Sequence, residues 1–522
     1  MSADKFLRGA VILTVAGLLV KVLGSVNRIL LSRLLGGEGI GLYQMGYPMY
    51  VLIQAVAYAG IPIAISIIVS EYAAKGDYAN VRRVFRFSLG LMILTGLALA
   101  LGFFAGAHWL LSSGMLQDQR AYYALLALTP AVFFCTVLAS FRGFFQGQQL
   151  MQAPAAAQIM EQFVRVVTML ALAYLLLPAG LEYAAAGAAF GAVPGSIVGM
   201  FALCYFYRRY RHYWQGGALD ASSPLSFGAL FKRLVLLALP VSCANILIPV
   251  SASIDMLFVP RYLVESGFAV GEATTLYGYL AGMAQPLLLL ATIPTNALAT
   301  SLVPAVAEAY IKGERAAIQE KAAAAMKWCC LVTVPAAIGM SALAEPLSRL
   351  LYGTAAAGTA IFHTGPSLAF LGIQQVTAGM LQGTGHTALP MLHMLLGIAA
   401  KLIVLPLLVT AEYGVAGAAW ATNICFALTA LLNLVALSHY KITFTWYNIF
   451  KIILAASAMG IAAAMVEGFL APLAGHVPAT LAALSVAVFV YAALVLLFGV
   501  LSKEELKALP LLRRFRKPVR KA

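Results

Sequence analysis

Apolar runs of about twenty residues follow one another from Gly9 to Leu501, separated by short polar links. About fourteen are long enough to cross some 30 Å of hydrocarbon as a helix. Lipid offers a backbone no hydrogen-bond partners, so the pattern predicts an all-α integral membrane protein rather than a sheet. Polar positions inside the runs are phased, not scattered. In the first run Gly17, Lys21, Gly24 and Arg28 step by four, three and four, which places both bases and both glycines on one helix face. In the fifth, Pro154, Gln158, Glu161, Arg165 and Thr168 form a similar stripe. The second run, roughly 41–70, carries Tyr43, Gln44, Tyr47, Pro48, Gln54, Gly60 and Pro62, and is expected to bend or break. The eighth, with Tyr277, Gln285, Pro286, Pro294 and Asn296, echoes it.

Two stretches recur. GFFQGQQLMQAPAAAQIMEQFVR from Gly143 is matched in spacing by GMLQGTGHTALPMLHMLLGIAAK from Gly379, so that Gly143, Gln146, Gly147, Pro154 and Arg165 return as Gly379, Gln382, Gly383, Pro390 and Lys401. Glu161 has Gly397 as its counterpart. EYAAKGD from Glu71 likewise pairs with EAYIKGE from Glu308. A duplicated architecture follows. Two pseudo-symmetric six-helix lobes are expected at 1–212 and 233–440 around a central cavity, joined by a linker at 213–232. Two further helices (441–501) and a basic tail (502–522) complete the chain. The glycine-rich stretches read as cytoplasmic turns, hinges or helix starts between runs four and five and between runs ten and eleven.

Composition agrees with the pattern. Charged residues are 10% and hydrophobic residues 62% of the chain, far from a soluble domain. The net charge of +15 suggests nucleic acid until its distribution is considered. With the N-terminus inside, only Arg33, Arg120, Arg261 and Arg349 fall on outer loops and Lys21, Arg28, Arg165 and Lys401 within spans. Every other base is on an inner segment, which predicts both termini in the cytoplasm. The tail RRFRKPVRKA fits either an anionic lipid surface or a solvated end. The six cysteines lie in apolar runs and read as packing residues. Lys21 interrupts the first run, which is therefore a span and not a secretory signal.

The candidate chemistry is cationic. No phosphate-binding loop, zinc-type histidine spacing or acid-rich outer loop is present, so an enzyme and a direct ATP drive are both set aside. Lys21, Arg28, Arg165 and Lys401 outnumber the membrane-depth acids Glu161 and Asp255, and a charge at that depth must face protein or water. An anionic guest would balance them. Arginine grips phosphate with a two-pronged fork and lysine adds a point charge, so the four bases are candidates for a diphosphate head group. Glu161 and Arg165, at i and i+4, would partly neutralise each other and act with Asp255 in gating or coupling. The bland alternative is an ion pair that only holds helices together.

FLRGAVILTVAGLLVKVLGSVNRILLSRLLGGEGIGLY at the N-terminus, RGFFQGQQLMQAPAAAQIMEQFVRV from Arg142, EYAAAGA from Glu182 and MLQGTGHTALPMLHMLLGIAAKLIV from Met380 resemble the stage V sporulation protein B type of polysaccharide-biosynthesis protein. That group falls in the multidrug/oligosaccharidyl-lipid/polysaccharide exporter superfamily, with the bacterial lipid II flippases. The resemblance implies two six-helix lobes about a V-shaped cavity, two extra C-terminal helices, and flipping of an undecaprenyl-diphosphate-linked sugar across the bacterial plasma membrane. Arg28 resembles the cavity arginine implicated in head-group binding, and Lys21 stands where related flippases also carry a base. Some lipid II flippases have Arg-Asp near the position of Asn27 and Arg28, so this chain lacks that acid and Asn27 becomes a coupling candidate. No cofactor is expected, with a membrane potential or ion gradient as the drive. Expected partners are the lipid-linked glycan, membrane lipids and cell-wall synthesis enzymes, not nucleic acid. Two other readings stay open: an ion-coupled exporter of small drugs, and a non-transporting scaffold for cell-wall synthesis.

Overall fold

The computed structural model describes residues 3–58, 60–210, 226–444 and 446–501, and those residues form helices and short turns, with no strand. In order they are α1 (Ala3–Gln44), α2 (Tyr47–Tyr58), α3 (Ile61–Ala74), α4 (Tyr78–Ser112), α5 (Tyr122–Gly147), α6 (Gln152–Leu176), α7 (Leu181–Phe190), α8 (Ala192–Tyr210) and α9 (Phe227–Glu265). Then come α10 (Val270–Tyr277), a π-helical segment (Gly278–Ala284), α11 (Gln285–Ala291), α12 (Ile293–Ile311), α13 (Arg315–Ala342) and α14 (Ala344–Tyr352). The last five are α15 (Gly358–Gly383), α16 (Ala388–Leu408), α17 (Gly414–His439), α18 (Trp446–Ala474) and α19 (His476–Leu497).

Among the described residues twelve helical stretches are long and apolar enough to cross a membrane, and Val270–Ala291 with Ile293–Ile311, bent by 46°, makes a thirteenth. The expected count of about fourteen is therefore not reached. Gly358–Gly383 has the length, but its threonines, glutamines and His363 make it too polar to qualify. Most of the expected linker and the whole basic tail lie outside the described residues.

Two compact units result. The first holds Met1–Leu290 and Leu402–Ala418, and the second Ala291–Lys401 and Ala419–Ala522. The first has an aromatic core in which Phe85 packs at 4.6–5.1 Å from Phe141, Phe144 and Tyr207. In the second, α12, α13 and α15 share one apolar cluster, and α18 and α19 join α13 through another. The last two helices thus pack into the second unit.

The predicted breaks occur, with shifted positions. Gly36, at φ 67°, interrupts α1, and the helix resumes to Gln44. Tyr43 and Gln44 consequently end α1 and do not start the second run. The second run itself splits into α2 and α3, and the eighth into α10, the π segment, α11 and α12.

Both sequence repeats are structural repeats. After α3, Gly76 (φ 71°) turns the chain while Asp77 N donates to Tyr72 O, and after α12, Gly313 (φ 70°) does the same while Glu314 N donates to Ala309 O. Each is a Schellman stop leading into a long helix. The glycines of the larger repeat, however, are not in turns. Gly143 and Gly147 are inside α5, where a Cβ would meet Pro62 O and Ser66 O of α3 at 2.6 and 2.7 Å. Gly379 and Gly383 in α15 meet Ala299 O and Val303 O of α12 at 2.8 and 2.9 Å. They are close-approach residues, four apart so that one helix ridge lies against another. The turns follow them, at Gln149 and Gly385.

Candidate functional site

Arg28 lies near the middle of the long first span, Val11–Gln44. It is half-buried, makes no ion pair among the described residues, and rests its guanidinium 4.8 Å from the centre of the Tyr47 ring. A cation over an aromatic face keeps all its N–H donors for another partner. Tyr47 is held in a ladder, 5.3 Å from Tyr43 and 6.0 Å from Tyr50. Below it the wholly buried Tyr50 hydroxyl lies 3.1 Å from Cys135 Sγ, which lies 3.1 Å from Ser196 Oγ.

The stripe on α6 completes the site. Glu161 is buried, and its two oxygens have different donors: Arg165 gives Oε1 a hydrogen bond of 2.9 Å, and Arg142 of α5 gives Oε2 one of 2.6 Å. The expected Glu161–Arg165 pair is present but is not a closed, neutral pair. Two guanidiniums share one carboxylate, and Arg165 Nε is buried without a partner. Glycines of α8 make room, since a Cβ at Gly195 would sit 2.9 Å from Arg165 Cβ and one at Gly199 3.2 Å from Glu161 Cβ. Tyr43 is within electrostatic range of both Arg28 and Arg165, and Tyr277 of Arg28 and Asp255. Arg28, Arg165, Glu161 and Asp255 all belong to the first unit.

The other predicted residues are placed as follows. Lys21 is exposed, beside a Gly17 with open space around it, while Gly24 faces Gln162 Nε2 at 3.4 Å. Asn27 is buried, donates to Met169 Sδ at 3.3 Å, and leaves Oδ1 without a partner. Lys401 belongs to the second unit and is wholly buried.

Sequence reasoning missed Arg142, the Tyr47–Tyr50 ladder and Cys135 as a hydrogen-bonded group. Signals existed for two of them. Tyr43, Tyr47 and Tyr50 are at i, i+4 and i+7, a single helical face. Arg142 immediately precedes the repeat that starts at Gly143, and Ala378 stands at the corresponding position before Gly379.

Two groups of contacts tie helices together inside the first unit. In one, α1 crosses α10 and the π segment so tightly that a Cβ on Gly41 would overlap Thr274 O and one on Gly278 would overlap Gly37 O. Beside this crossing, Arg120 bridges Glu38 at 2.6 Å and Asp118 at 2.8 Å, and Thr274 Oγ1 donates to Asp118 Oδ2 at 2.8 Å. Burial pushes the Asp118 carboxyl up, but the hydrogen bonds from Arg120 and Thr274 together outweigh it and hold the group below its ordinary value. Between α3 and α9, Gly60 N donates to Ser242 Oγ at 3.2 Å, and about 14 Å along α9 by helix rise Arg233 pairs with Glu71 at 2.6 Å.

Residues 6–310 match the family described as polysaccharide biosynthesis protein. The stage V sporulation protein B of Bacillus subtilis (strain 168) is 30% identical over 536 residues, covering 98% of this chain and 99% of that protein. The lipid II flippase MurJ of the same organism is 26% identical over 423 residues, covering 77% of each. A solved structure of a lipid II flippase MurJ in an inward closed conformation superposes with a TM-score of 0.70 at 16% identity, covering 94% of this chain and 98% of that one, a likeness of fold.

Proposed function

The chain belongs to the polysaccharide biosynthesis protein family, and from that premise we propose that it flips an undecaprenyl-diphosphate-linked cell-wall glycan precursor from the inner to the outer leaflet. Its relatives are flippases and transporters, not enzymes, and it is a multi-pass membrane transporter of the same superfamily. Lipid II or a related precursor is the proposed cargo. Two six-helix lobes, a fourteenth span at Gly358–Gly383 and cytoplasmic termini belong to this reading, as does a drive from the membrane potential or an ion gradient.

The observation that supports it best is Arg28, a mid-span cation whose charge is balanced by a ring face and by no carboxylate among the described residues. Such a group is costly in a bilayer unless an anion completes it. A diphosphate esterified at both ends offers two negative charges and several acceptors to a guanidinium fork. Tyr47, stacked on the buried Tyr43, supplies flat, partly polar surface in place of water. Arg165, Lys21 and Lys401 are the further cations of this reading, with Glu161, Asp255 and Asn27 in gating. The two groups of contacts in the first unit would then open in alternation.

Arg28→Ala should abolish growth of a flippase-depleted strain while the protein still reaches the membrane, and lipid II should remain inaccessible from outside. Normal growth and normal lipid II accessibility with Arg28→Ala would remove Arg28 from the mechanism. Drug resistance without any change in lipid II accessibility would favour a drug exporter of the same fold.

A further inference from the structure

Glu161 has an arrangement that a helix-tethering ion pair does not require. Its carboxylate is bracketed, one oxygen to Arg142 of α5 and the other to Arg165 of α6, with side-chain exposures of 21% and 14% for the arginines. One charge and two oxygens between two guanidiniums is also the electrostatic pattern of a phosphoryl group in a doubly esterified diphosphate, which carries one charge and two free oxygens. The carboxylate and such a phosphoryl group are interchangeable in charge and in number of acceptors.

We propose that Glu161 is a resident anion, occupying the Arg142–Arg165 pair until a phosphoryl group of the lipid-linked substrate displaces it. The inference rests on the cargo proposed above and adds Arg142 to the binding residues. Two further observations support exchange over permanent pairing. Arg165 Nε is buried without a partner, so the guanidinium has unused donor capacity that a larger anion can take up. The carboxylate also lies against Gly199 of α8, where the nearest approach of an added Cβ to Oε2 is 3.3 Å, so it is backed by a flat glycine face. Exchange keeps one anion between the two guanidiniums throughout, which avoids leaving these like charges facing each other with nothing between them in low dielectric. Release of the head group is assisted because Glu161 is tethered nearby and competes at high effective concentration.

The test uses the full chain, purified, with a radiolabelled undecaprenyl-diphosphate-linked disaccharide as probe and phosphatidylglycerol as control lipid. Glu161→Gln removes the competitor and is expected to tighten binding about tenfold while slowing flipping in vesicles. Glu161→Asp, one methylene shorter, should shift binding in the same direction if Glu161→Gln fails to fold. Arg142→Gln should weaken binding. Unchanged or weaker binding in both Glu161 variants overturns the proposal, because it makes the carboxylate a positioning group for the arginines. If wild-type protein does not distinguish the probe from phosphatidylglycerol, the cargo reading falls instead. Inorganic pyrophosphate then decides the anion site separately: greater thermal stabilisation of Glu161→Gln than of wild type upholds it, and equal stabilisation removes it.

Discussion

Asp118→Asn tests whether the network beside the α1–α10 crossing contributes energy or only adorns the surface. Asp118 accepts four hydrogen bonds: Arg120 N and Nε reach Oδ1, and Arg120 NH2 and Thr274 Oγ1 reach Oδ2. An asparagine keeps one acceptor oxygen and no charge, so two of the four are lost. Hydrogen bonds to a charged group contribute about 1.5–3 kcal/mol each. Arg120 and Glu38 keep 38% of their side-chain surface exposed, so water compensates part of that loss. A net cost of about 2–3 kcal/mol follows, equivalent to a roughly 30- to 150-fold rise in local opening. Amide hydrogen exchange over Val270–Tyr277 reads this directly, because Thr274 is the α10 residue that Asp118 holds. Thr274→Val, which removes one bond, should give about 1 kcal/mol. The pH dependence supplies an independent check. The folded carboxyl titrates below its ordinary value, so its contribution is complete above the ordinary carboxylate value of about 3.9 and is lost as pH falls through the lower folded value. The gap between wild type and Asp118→Asn should be constant from neutral pH to about 5 and should close in stronger acid. A gap below about threefold in exchange rate, or one that persists unchanged to pH 2, refutes the reasoning.

Other substitutions separate close approach from charge. Gly278→Ala puts a Cβ into Gly37 O, where no side chain can yield, and should destabilise the crossing by about 2–3 kcal/mol, measured by thermal unfolding or by loss of folded protein on expression. Gly17→Ala, on α1 and facing open space, should leave stability unchanged or raise it by up to about 1 kcal/mol in the same measurement. Glu71→Gln breaks the pair with Arg233 between α3 and α9. Both partners are about 40% exposed, so the unfolding midpoint should move by less than about 1 kcal/mol equivalent.

Periodicity made most of the scaffold legible. Run lengths marked the helices, and the repeat at Glu71 and Glu308 fell on two matching helix stops, because both depend on local chemistry, whereas the turns expected at Gly143 and Gly379 are helix interior. What periodicity hid was the set of partners from other helices. Glu161 and Arg165 could be paired on paper because they are i and i+4, whereas Arg142 is on α5, and its bond to Glu161 is visible only once α5 and α6 are packed. Asp118, Arg120, Glu38 and Thr274 come from three elements, and no spacing rule connects them.

The asymmetry between Glu161 and Gly397 has a packing cause that sharpens what each base can do. EYAAAGA from Glu182 recurs as EYGVAGA from Glu412, a register that equates Gly195 and Gly199 of α8 with Cys425 and Thr429 of α17. In the first unit the glycines are on α8, and α6 fills the space with Glu161 and Arg165. In the second unit the glycine is on α16, and a Cβ at Gly397 would overlap Thr429 Oγ1 and lie 2.7 Å from Cys425 O. The two units exchange which helix gives way. No carboxylate fits at position 397 unless α17 moves, and with Ala378 in place of Arg142 the second unit has neither the acid nor its second arginine. Lys401, wholly buried, and Arg165, partly exposed and sharing an anion, therefore cannot be equivalent members of one symmetric site. Restoring equivalence would take coordinated changes at 378, 397, 425 and 429, and a single Gly397→Glu should disrupt the α16–α17 contact instead of creating a second resident anion.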